Sequence, residues 1–215
     1  YLGPPGSFTH AAVELLSAPW AGPIAPRTTV SEVIFAVESG EADAGVVPLE
    51  TSVEGDVSST VDELIFRSSM CFINEVVVVP VSYLVAGVPG SRLGGISRLV
   101  TTSVARTQCR RFLEASEIPT ELVGDVDEAA AVAAADDSGS TAALTTTMSA
   151  HLNSLAVLRT NVEDQSGVAT RMAKISRRIP AATGHDETAL VVTPIGDRTG
   201  VLADILRCFS DRGIA

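Results

Sequence analysis

The sequence predicts an α/β protein in which residues 1–180 fold into two lobes around a cleft. Short valine-rich runs alternate with alanine-rich segments of helical periodicity, and hydrophobic residues make up 46% of the chain while aromatic residues make up only 4%. This β-α-β alternation favours parallel sheets with crossover helices. The pattern occurs before about residue 80 and again over about 80–153, and the chain then returns to the first set. Two lobes joined by two crossings enclose a cleft of the kind that binds ligands.

The first lobe is assigned to about 1–79 and 154–180 from caps and periodicity. Its opening turn, Gly3-Pro-Pro-Gly6, leads into a helix that Ser7 or Thr9 would cap. Two later helices are predicted, one between the capping box Thr29–Glu32 and Gly40 and one opened by a second capping box at Thr60–Glu63. The predicted strands are 44–47, 155–158 and 170–175, and an extended stretch at 72–88 is interrupted by Pro80.

The second lobe, about 80–153, contains three predicted strand–helix units. The predicted strands are 98–101, 121–123 and 141–144, and the helices begin at Ser103, Asp127 and Thr145. A linker at 180–186 leads to a C-terminal unit at 186–215. That unit is expected to contain a strand at 188–193, a turn at Gly196 and Asp197, and an amphipathic helix at 200–211.

Charge and composition exclude several function classes. The formal net charge of −11 repels nucleic acid and anionic membrane surfaces, so neither is expected as a partner. No run approaches the roughly 18–20 apolar residues of a membrane-spanning helix. The histidines His10, His151 and His185 lack metal-ligand spacing, and the three cysteines form no close pair. We therefore expect a reduced, cytoplasmic protein that uses no metal and no cofactor.

Three segments place hydroxyl groups, a glycine or an arginine at the end of a regular element. These segments are Gly3–Thr9, Val46–Gly55 and Ala169–Met172. Backbone N–H groups point outward at such ends and bind anions. The sequence therefore predicts a cleft that binds a small polycarboxylate.

Five groups of residues, in this order, resemble the motifs of the prephenate dehydratase family with its C-terminal ACT regulatory domain. They are Leu2–Thr9; Val47–Glu50 with Ser52–Gly55, Thr60 and Asp62; Gln108-Cys109; Thr170-Arg171; and Gly200–Leu202 with Arg212–Ile214. The resemblance covers nearly the whole chain. It implies a two-lobed, periplasmic-binding-protein-like dehydratase domain over 1–180 and the start of a ferredoxin-like (ACT) α+β domain over 186–215.

The resemblance also implies an activity, the conversion of prephenate to phenylpyruvate with loss of water and CO2 in L-phenylalanine biosynthesis. It implies two catalytic residues, Thr170 and Arg171. Thr170 would donate a hydrogen bond to the departing hydroxyl, and Arg171 would bind a carboxylate of the substrate. A carboxylate beside a dianionic substrate repels it, so we expect Glu50 to orient Arg171 or the backbone rather than touch the substrate. The implied substrate-binding positions are Ser7, Thr9, Glu50, Thr51, Ser52, Thr101, Thr102, Ser103 and Gln108.

ACT units pair side by side and bind an amino acid at the seam. The resemblance therefore implies a homodimer or homotetramer that L-phenylalanine inhibits. The implied effector-binding residues are Gly200, Val201 and Leu202, where the glycine leaves room for the ligand.

The chain departs from the family pattern at several motif positions. Thr51 stands where the family has Asn, Tyr83 where it has His, Val168 where it has Asn, and Met172 where it has Phe. Thr101–Val104 replaces the family's Ser-His-Pro-Gln stretch. Two alternatives stay open: a prephenate decarboxylase-like enzyme of the same fold, and a non-catalytic protein that binds a small carboxylate or an amino acid.

Overall fold

A computed structural model describes residues 1–16, 22–194, 196 and 198–214. The chain divides into two compact units, Tyr1–Pro180 and Ala181–Ala215. Within the described ranges, no helix combines the length and the apolar character needed to cross a membrane.

The helices, in chain order, are α1 (Phe8–Leu15), α2 (Val30–Ser39), α3 (Ser58–Asp62), α4 (Ser103–Gln108), α5 (Arg110–Ser116), α6 (Val126–Ala134), α7 (Thr147–Leu152) and α8 (Val201–Ser210). The strands are β1 (Ala44–Thr51), β2 (Gly55–Asp56), β3 (Phe72–Pro80), β4 (Leu84–Gly87), β5 (Arg98–Thr101), β6 (Thr120–Leu122), β7 (Thr141–Thr145), β8 (Ala156–Thr160) and β9 (Ala169–Ser176). A π-helical turn, Glu63–Arg67, follows α3, and a 3₁₀ turn spans Leu93–Gly95.

The first lobe contains an antiparallel sheet in the order β2-β1-β9-β3. We expected parallel pairing in this lobe, and that expectation is wrong. β1 and β3 do run in the same direction, as the strand–helix alternation predicts. However, β9 lies between them and runs opposite to both, so each pairs with β9 instead of with the other. The strand that returns from the second lobe therefore determines the pairing.

The second lobe contains a mixed sheet in the order β6-β5-β7-β4-β8. β5 pairs in parallel with β6 and β7, as predicted, whereas β4 is antiparallel to β7 and β8. We expected residues 154–180 to lie in the first lobe, but β8 pairs along β4 in the second. After β4 pairs with β7, the backbone N–H and C=O groups on its other edge still need hydrogen-bond partners, and β8 provides them. The chain thus crosses back only after residue 160.

Both faces of the first sheet are covered by helices. Met172 packs with Val46 and Val79 against α1, and Ala173 and Ile175 pack against α2. Successive residues of β9 therefore face α1 and α2 in alternation. A strand buried on both sides needs apolar residues at successive positions, which explains the adjacent valines Val46 and Val47 of β1.

Most capping signals in the sequence are confirmed. Ser7, Thr29 and Thr102 each accept a hydrogen bond from the amide three residues later, at 3.2, 3.1 and 3.2 Å. The box expected at Thr60 is not formed, because α3 already begins at Ser58. The buried Thr60 hydroxyl instead donates to the Pro48 carbonyl at 2.6 Å, which satisfies it inside the core.

The C-terminal unit contains the expected helix, α8, which begins after Gly200. Residues 188–193, where we expected a strand, have no regular structure, and the valines at 191 and 192 are exposed. A strand needs a neighbour for its backbone groups, and the described part of this unit offers none. Asp197, in the turn expected before the helix, lies outside the described residues.

Candidate active site

Thr170 lies near the start of β9, at the end of the first sheet where the crossings meet it. It pairs with Thr51 on β1 and with Val79 on β3, and it shares the α1 face with Met172. The residue is 7% exposed. Its hydroxyl makes no hydrogen bond to any other described residue. This hydroxyl is therefore available to a molecule bound beside α1.

Arg171, the next residue, points to the opposite face of the sheet because strand side chains alternate. Its Nη1 lies 3.2 Å from Oε2 of Glu50, and the two side chains are 38% and 41% exposed. This ion pair is the contact expected if Glu50 orients Arg171, and the role itself stays a prediction. Arg171 and Thr170 do not share a face, so they do not point into one pocket beside α1.

The turn after β1 fixes the beginning of β9. The Ser52 amide donates to the Ala169 carbonyl at 2.9 Å, and the Ala169 amide donates to Ser52 Oγ at 3.0 Å. Thr51 Oγ1 accepts from the Glu54 amide at 2.9 Å within the same turn. Ser52 therefore fixes the position of Ala169, the residue directly before Thr170. The hydroxyl groups of Thr51 and Ser52 both accept hydrogen bonds from backbone amides.

The start of α1 lies over the face of β9 that carries Thr170. Thr9 is buried, and its Oγ1 lies 3.8 Å from Sδ of Met172. Ser7 caps the helix by accepting from the His10 amide, which leaves the amides of Phe8 and Thr9 without an intrahelical acceptor. Two amides at the positive end of a helix dipole suit a carboxylate.

The second lobe contributes hydroxyls where β5 ends and α4 begins. Thr101 is fully buried, and its Oγ1 donates to the Leu144 carbonyl at 2.8 Å, so it fastens β5 to β7. Thr102 caps α4, because its Oγ1 accepts a hydrogen bond from the Ala105 amide. The hydroxyl proton of Thr102 therefore remains available for a ligand. Ser103 is exposed at the first position of the helix. Thr102 and Ser103 are thus better placed than Thr101 to contact a substrate.

Gln108 is the last residue of α4, at the opposite end from Thr102. A helix of this length spans about 9 Å. The Gln108 side chain is exposed, and its carbonyl accepts from the Asp164 amide at 2.7 Å. The structure therefore places Gln108 beside a crossing segment rather than among the hydroxyls at the helix start.

Two contacts join the lobes beside the start of α1. Thr146 Oγ1 donates to the Gly6 carbonyl at 2.5 Å. The rings of Phe8 and Tyr83 meet edge to face with their centroids 5.5 Å apart. Burial is the main cause that raises the pKa of Tyr83 to about 12, so this phenol is neutral at physiological pH. These contacts bring the start of α1 against the start of α7, and α4 follows β5, which pairs in parallel with β7.

Thr145 and Thr146 are residues of this junction that sequence reasoning missed. β7 ends at Thr145 as β5 ends at Thr101, and the threonine that follows each strand, Thr146 or Thr102, caps the next helix. A Thr-Thr pair repeated after two predicted strands was the signal that could have identified them.

The expected effector residues lie at the start of α8 in the C-terminal unit. Gly200 has φ +88, a conformation that favours glycine with or without a ligand. Val201 is half-buried and Leu202 is exposed. The effector role of these residues stays a prediction.

A cavity of about 960 Å³ opens at the other end of β9. Its lining includes Lys174, Ser176, Arg178 and Arg27 but none of the expected substrate-binding residues. No group of three or more His, Cys, Asp or Glu in the described ranges could hold a metal ion.

The lobe junction places the start of α1 over the face of β9 that carries the Thr170 hydroxyl, and it joins the start of α1 to the start of α7. Because the net charge of −11 opposes an anion at long range, binding must rely on these local donors. A two-lobed α/β fold with such a junction defines a class of proteins that bind a small organic anion between lobes. The Thr170 hydroxyl adds a donor that can act on the bound molecule.

Comparison with known proteins identifies the family. Its sequence model, prephenate dehydratase, matches residues 1–180. The chain is 32% identical over 222 residues to the prephenate dehydratase of Mycobacteroides abscessus, covering 100% of this chain and 71% of that protein. It is 33% identical over 217 residues to the prephenate dehydratase of Amycolatopsis methanolica, and the match covers 100% of this chain and 70% of that protein. The chain therefore belongs to the prephenate dehydratase family, hydro-lyases that dehydrate prephenate.

A solved structure supports the same assignment. The crystal structure of prephenate dehydratase in complex with L-Phe from Arthrobacter aurescens is 32% identical to this chain, with a TM-score of 0.80. The match covers 99% of this chain and 71% of that chain. The two-lobed α/β fold expected from the resemblance is therefore confirmed.

Proposed function

We propose that this chain binds prephenate at the lobe junction and converts it to phenylpyruvate, CO2 and water in cytoplasmic phenylalanine synthesis. The observation that carries the proposal is the buried Thr170 hydroxyl, which faces α1 and has no hydrogen-bond partner among the described residues. Membership of the family supports the substrate.

For this reaction the protein needs only to position the substrate and to supply one hydrogen-bond donor at the leaving oxygen. The bond between the ring and its carboxylate breaks, and its electron pair enters the ring as CO2 leaves. The carbon–oxygen bond on the opposite side of the ring then breaks, and the departing hydroxide, which accepts a hydrogen bond from Thr170, takes up one proton from solvent to give water. Aromatisation drives both events, so a donor at the leaving oxygen is sufficient. A threonine hydroxyl is a weak acid, and Thr170 acts by position and by hydrogen bonding to the developing charge.

The two carboxylates of prephenate need donors from both lobes. We assign one to the amides of Phe8 and Thr9 at the start of α1 and the other to Thr102 and Ser103 at the start of α4. Arg171 is assigned a supporting role, since it lies on the other face of the sheet and pairs with Glu50.

Product analysis tests this function and separates it from the alternatives. Purified protein incubated with prephenate is expected to release equal amounts of CO2 and phenylpyruvate, which is recognised by its aromatic ultraviolet spectrum. A non-aromatic dihydro product would identify a decarboxylase instead. Saturable binding of prephenate without any product would identify a binding protein.

We further propose that L-phenylalanine inhibits this enzyme through a paired C-terminal unit. The ACT-like residues at 200–202 and 212–214 support this regulation, and so does the L-Phe bound to the relative from Arthrobacter aurescens. An effector changes activity only if it prefers one global state of the enzyme, so the C-terminal unit must be coupled to the cleft.

Addition of L-phenylalanine is therefore expected to lower the initial rate by about 5-fold or more, the usual scale of allosteric coupling. D-phenylalanine serves as the matched control and is expected to leave the rate unchanged. Light scattering is expected to give the mass of a dimer or a tetramer. A monomer whose initial rate is unchanged by either enantiomer would contradict the proposed regulation but not the proposed dehydratase activity.

A further inference from the structure

We propose that Thr146, a residue of the second lobe, is a positioning residue that fixes the start of α1 for substrate through its hydrogen bond to the Gly6 carbonyl. The proposal rests on the proposed function, because it takes the start of α1 as the site of one prephenate carboxylate.

Gly6 has both of its backbone polar groups bound to side chains. Its N–H donates to Nδ1 of His10 at 3.1 Å, and its carbonyl accepts from Thr146 Oγ1 at 2.5 Å. His10 belongs to α1 itself, whereas Thr146 belongs to the other lobe. The carbonyl bond is therefore the one that ties the position of this loop to the second lobe.

Thr146 is itself held firmly in the second lobe. It is buried, and its oxygen accepts from the Ser149 amide at 3.1 Å as the cap of α7. Ser149 Oγ and Thr145 Oγ1 both donate to the Val126 carbonyl at 2.8 Å, which fastens the same turn to the start of α6. A threonine hydroxyl has one proton, and Gly6 receives it. Thr146 therefore has no proton to give to the substrate and acts through the loop.

The bond to Gly6 has direct consequences for the amides that follow it. Only Ser7 separates Gly6 from Phe8 and Thr9, whose amides we assign to a carboxylate. The Phe8–Tyr83 ring contact also joins the lobes, but ring contacts allow sliding, whereas a short hydrogen bond fixes direction. A shift of about 1 Å in such donors is enough to weaken catalysis substantially.

Three variants separate the positioning role of Thr146 from its capping role. Thr146→Ser keeps both the proton for Gly6 and the cap of α7. Thr146→Asp keeps a capping acceptor but has no proton to donate and repels the Gly6 carbonyl. Thr29→Val removes a threonine cap from α2 inside the first lobe and is the matched control for general loss of stability.

Thr146→Asp is expected to raise KM for prephenate about tenfold, the upper range for loss of one hydrogen bond. Thr146→Ser and Thr29→Val are expected to stay within about twofold of the parent. Amide hydrogen exchange of residues 6–9 is expected to become faster in Thr146→Asp and in neither of the other variants. An unchanged KM in Thr146→Asp, or an equal rise in Thr29→Val, would overturn the proposal.

The exchange measurement needs no substrate and so distinguishes two kinds of failure. If the parent protein does not turn over prephenate, the proposed function fails. Even then, faster exchange at residues 6–9 in Thr146→Asp alone would support the proposal that Thr146 fixes the position of this loop. If Thr146→Asp exchanges at the same rate as the parent at these residues, Thr146 does not fix the loop, whatever the activity of the parent.

Discussion

Replacement of Thr170 by alanine is expected to lower kcat by about 100-fold or more, while KM changes by less than about threefold. The hydroxyl bonds to no other described residue, so its proposed partner is the leaving oxygen of the substrate. A positioned donor of this kind typically contributes about 10²–10⁴ in rate. Because the bond strengthens as charge develops on the oxygen, its loss affects the chemical step more than binding. Steady-state formation of phenylpyruvate measures both constants.

Two further variants give this prediction its controls. Thr170→Ser keeps a hydroxyl and is expected to recover most of the lost kcat. Ser176→Ala removes a hydroxyl from the same face and the other end of β9 and is expected to leave kcat unchanged. A Thr170→Ala variant with the kcat of the parent would remove Thr170 from its assigned role.

Replacement of Gly6 by alanine is expected to destabilise the fold by about 3 kcal/mol, the sum of a backbone cost and a steric cost. Gly6 has φ +75, which costs about 1–2 kcal/mol for a residue with a Cβ. The added Cβ would also lie 2.6 Å from Cβ and 2.8 Å from Cα of Ser149, so α1 or α7 would have to shift. The urea midpoint of unfolding measures the loss.

Gly90→Ala is the matched control for the backbone cost alone. Gly90 has φ +95, and a Cβ there would meet no described atom within 4 Å. Its loss of stability is expected to be about 1–2 kcal/mol. In a Ser149→Gly background, Gly6→Ala is expected to cost less than it does in the parent, because two of the three close contacts, with Cβ and Oγ of Ser149, are absent. Equal losses in Gly6→Ala and Gly90→Ala would contradict the packing of α1 against α7.

Most elements of this fold could be predicted from the sequence because their signals lie close together along the chain. Thr29, Glu32 and Gly40 mark the two ends of α2, and the structure has that helix at Val30–Ser39. β5 occupies the predicted residues, because β-branched and apolar residues there are bounded by turn signals. Capping and strand signals of this kind do not depend on the rest of the molecule.

The pairing of strands could not be predicted in the same way. β9 inserts between β1 and β3, and β8 joins the edge of β4, through contacts between residues far apart in the chain. Strands covered on both faces are apolar at nearly every position, so their patterns do not reveal which neighbours they take.

The candidate site was only partly predictable for a related reason. The motif at Thr170 and Arg171 identified two functional candidates, but their opposite orientations follow from the alternation of side chains along β9. Thr146 looks like an ordinary helix cap in the sequence. Its additional contact is with Gly6, which lies in the other lobe at the opposite end of the domain sequence.

The central position of β9 has a consequence for how the chain folds. During synthesis β1 and β3 emerge early, but the strand that must lie between them is the last one before the linker. The strands β4 to β8 are contiguous in the chain and can form their sheet while β1 and β3 still have unpaired edges. Completion of the first sheet requires closing a loop that contains the entire second lobe, which carries an entropic cost and slows the step. The first lobe, most of which precedes the second along the chain, is therefore expected to reach its native state after it.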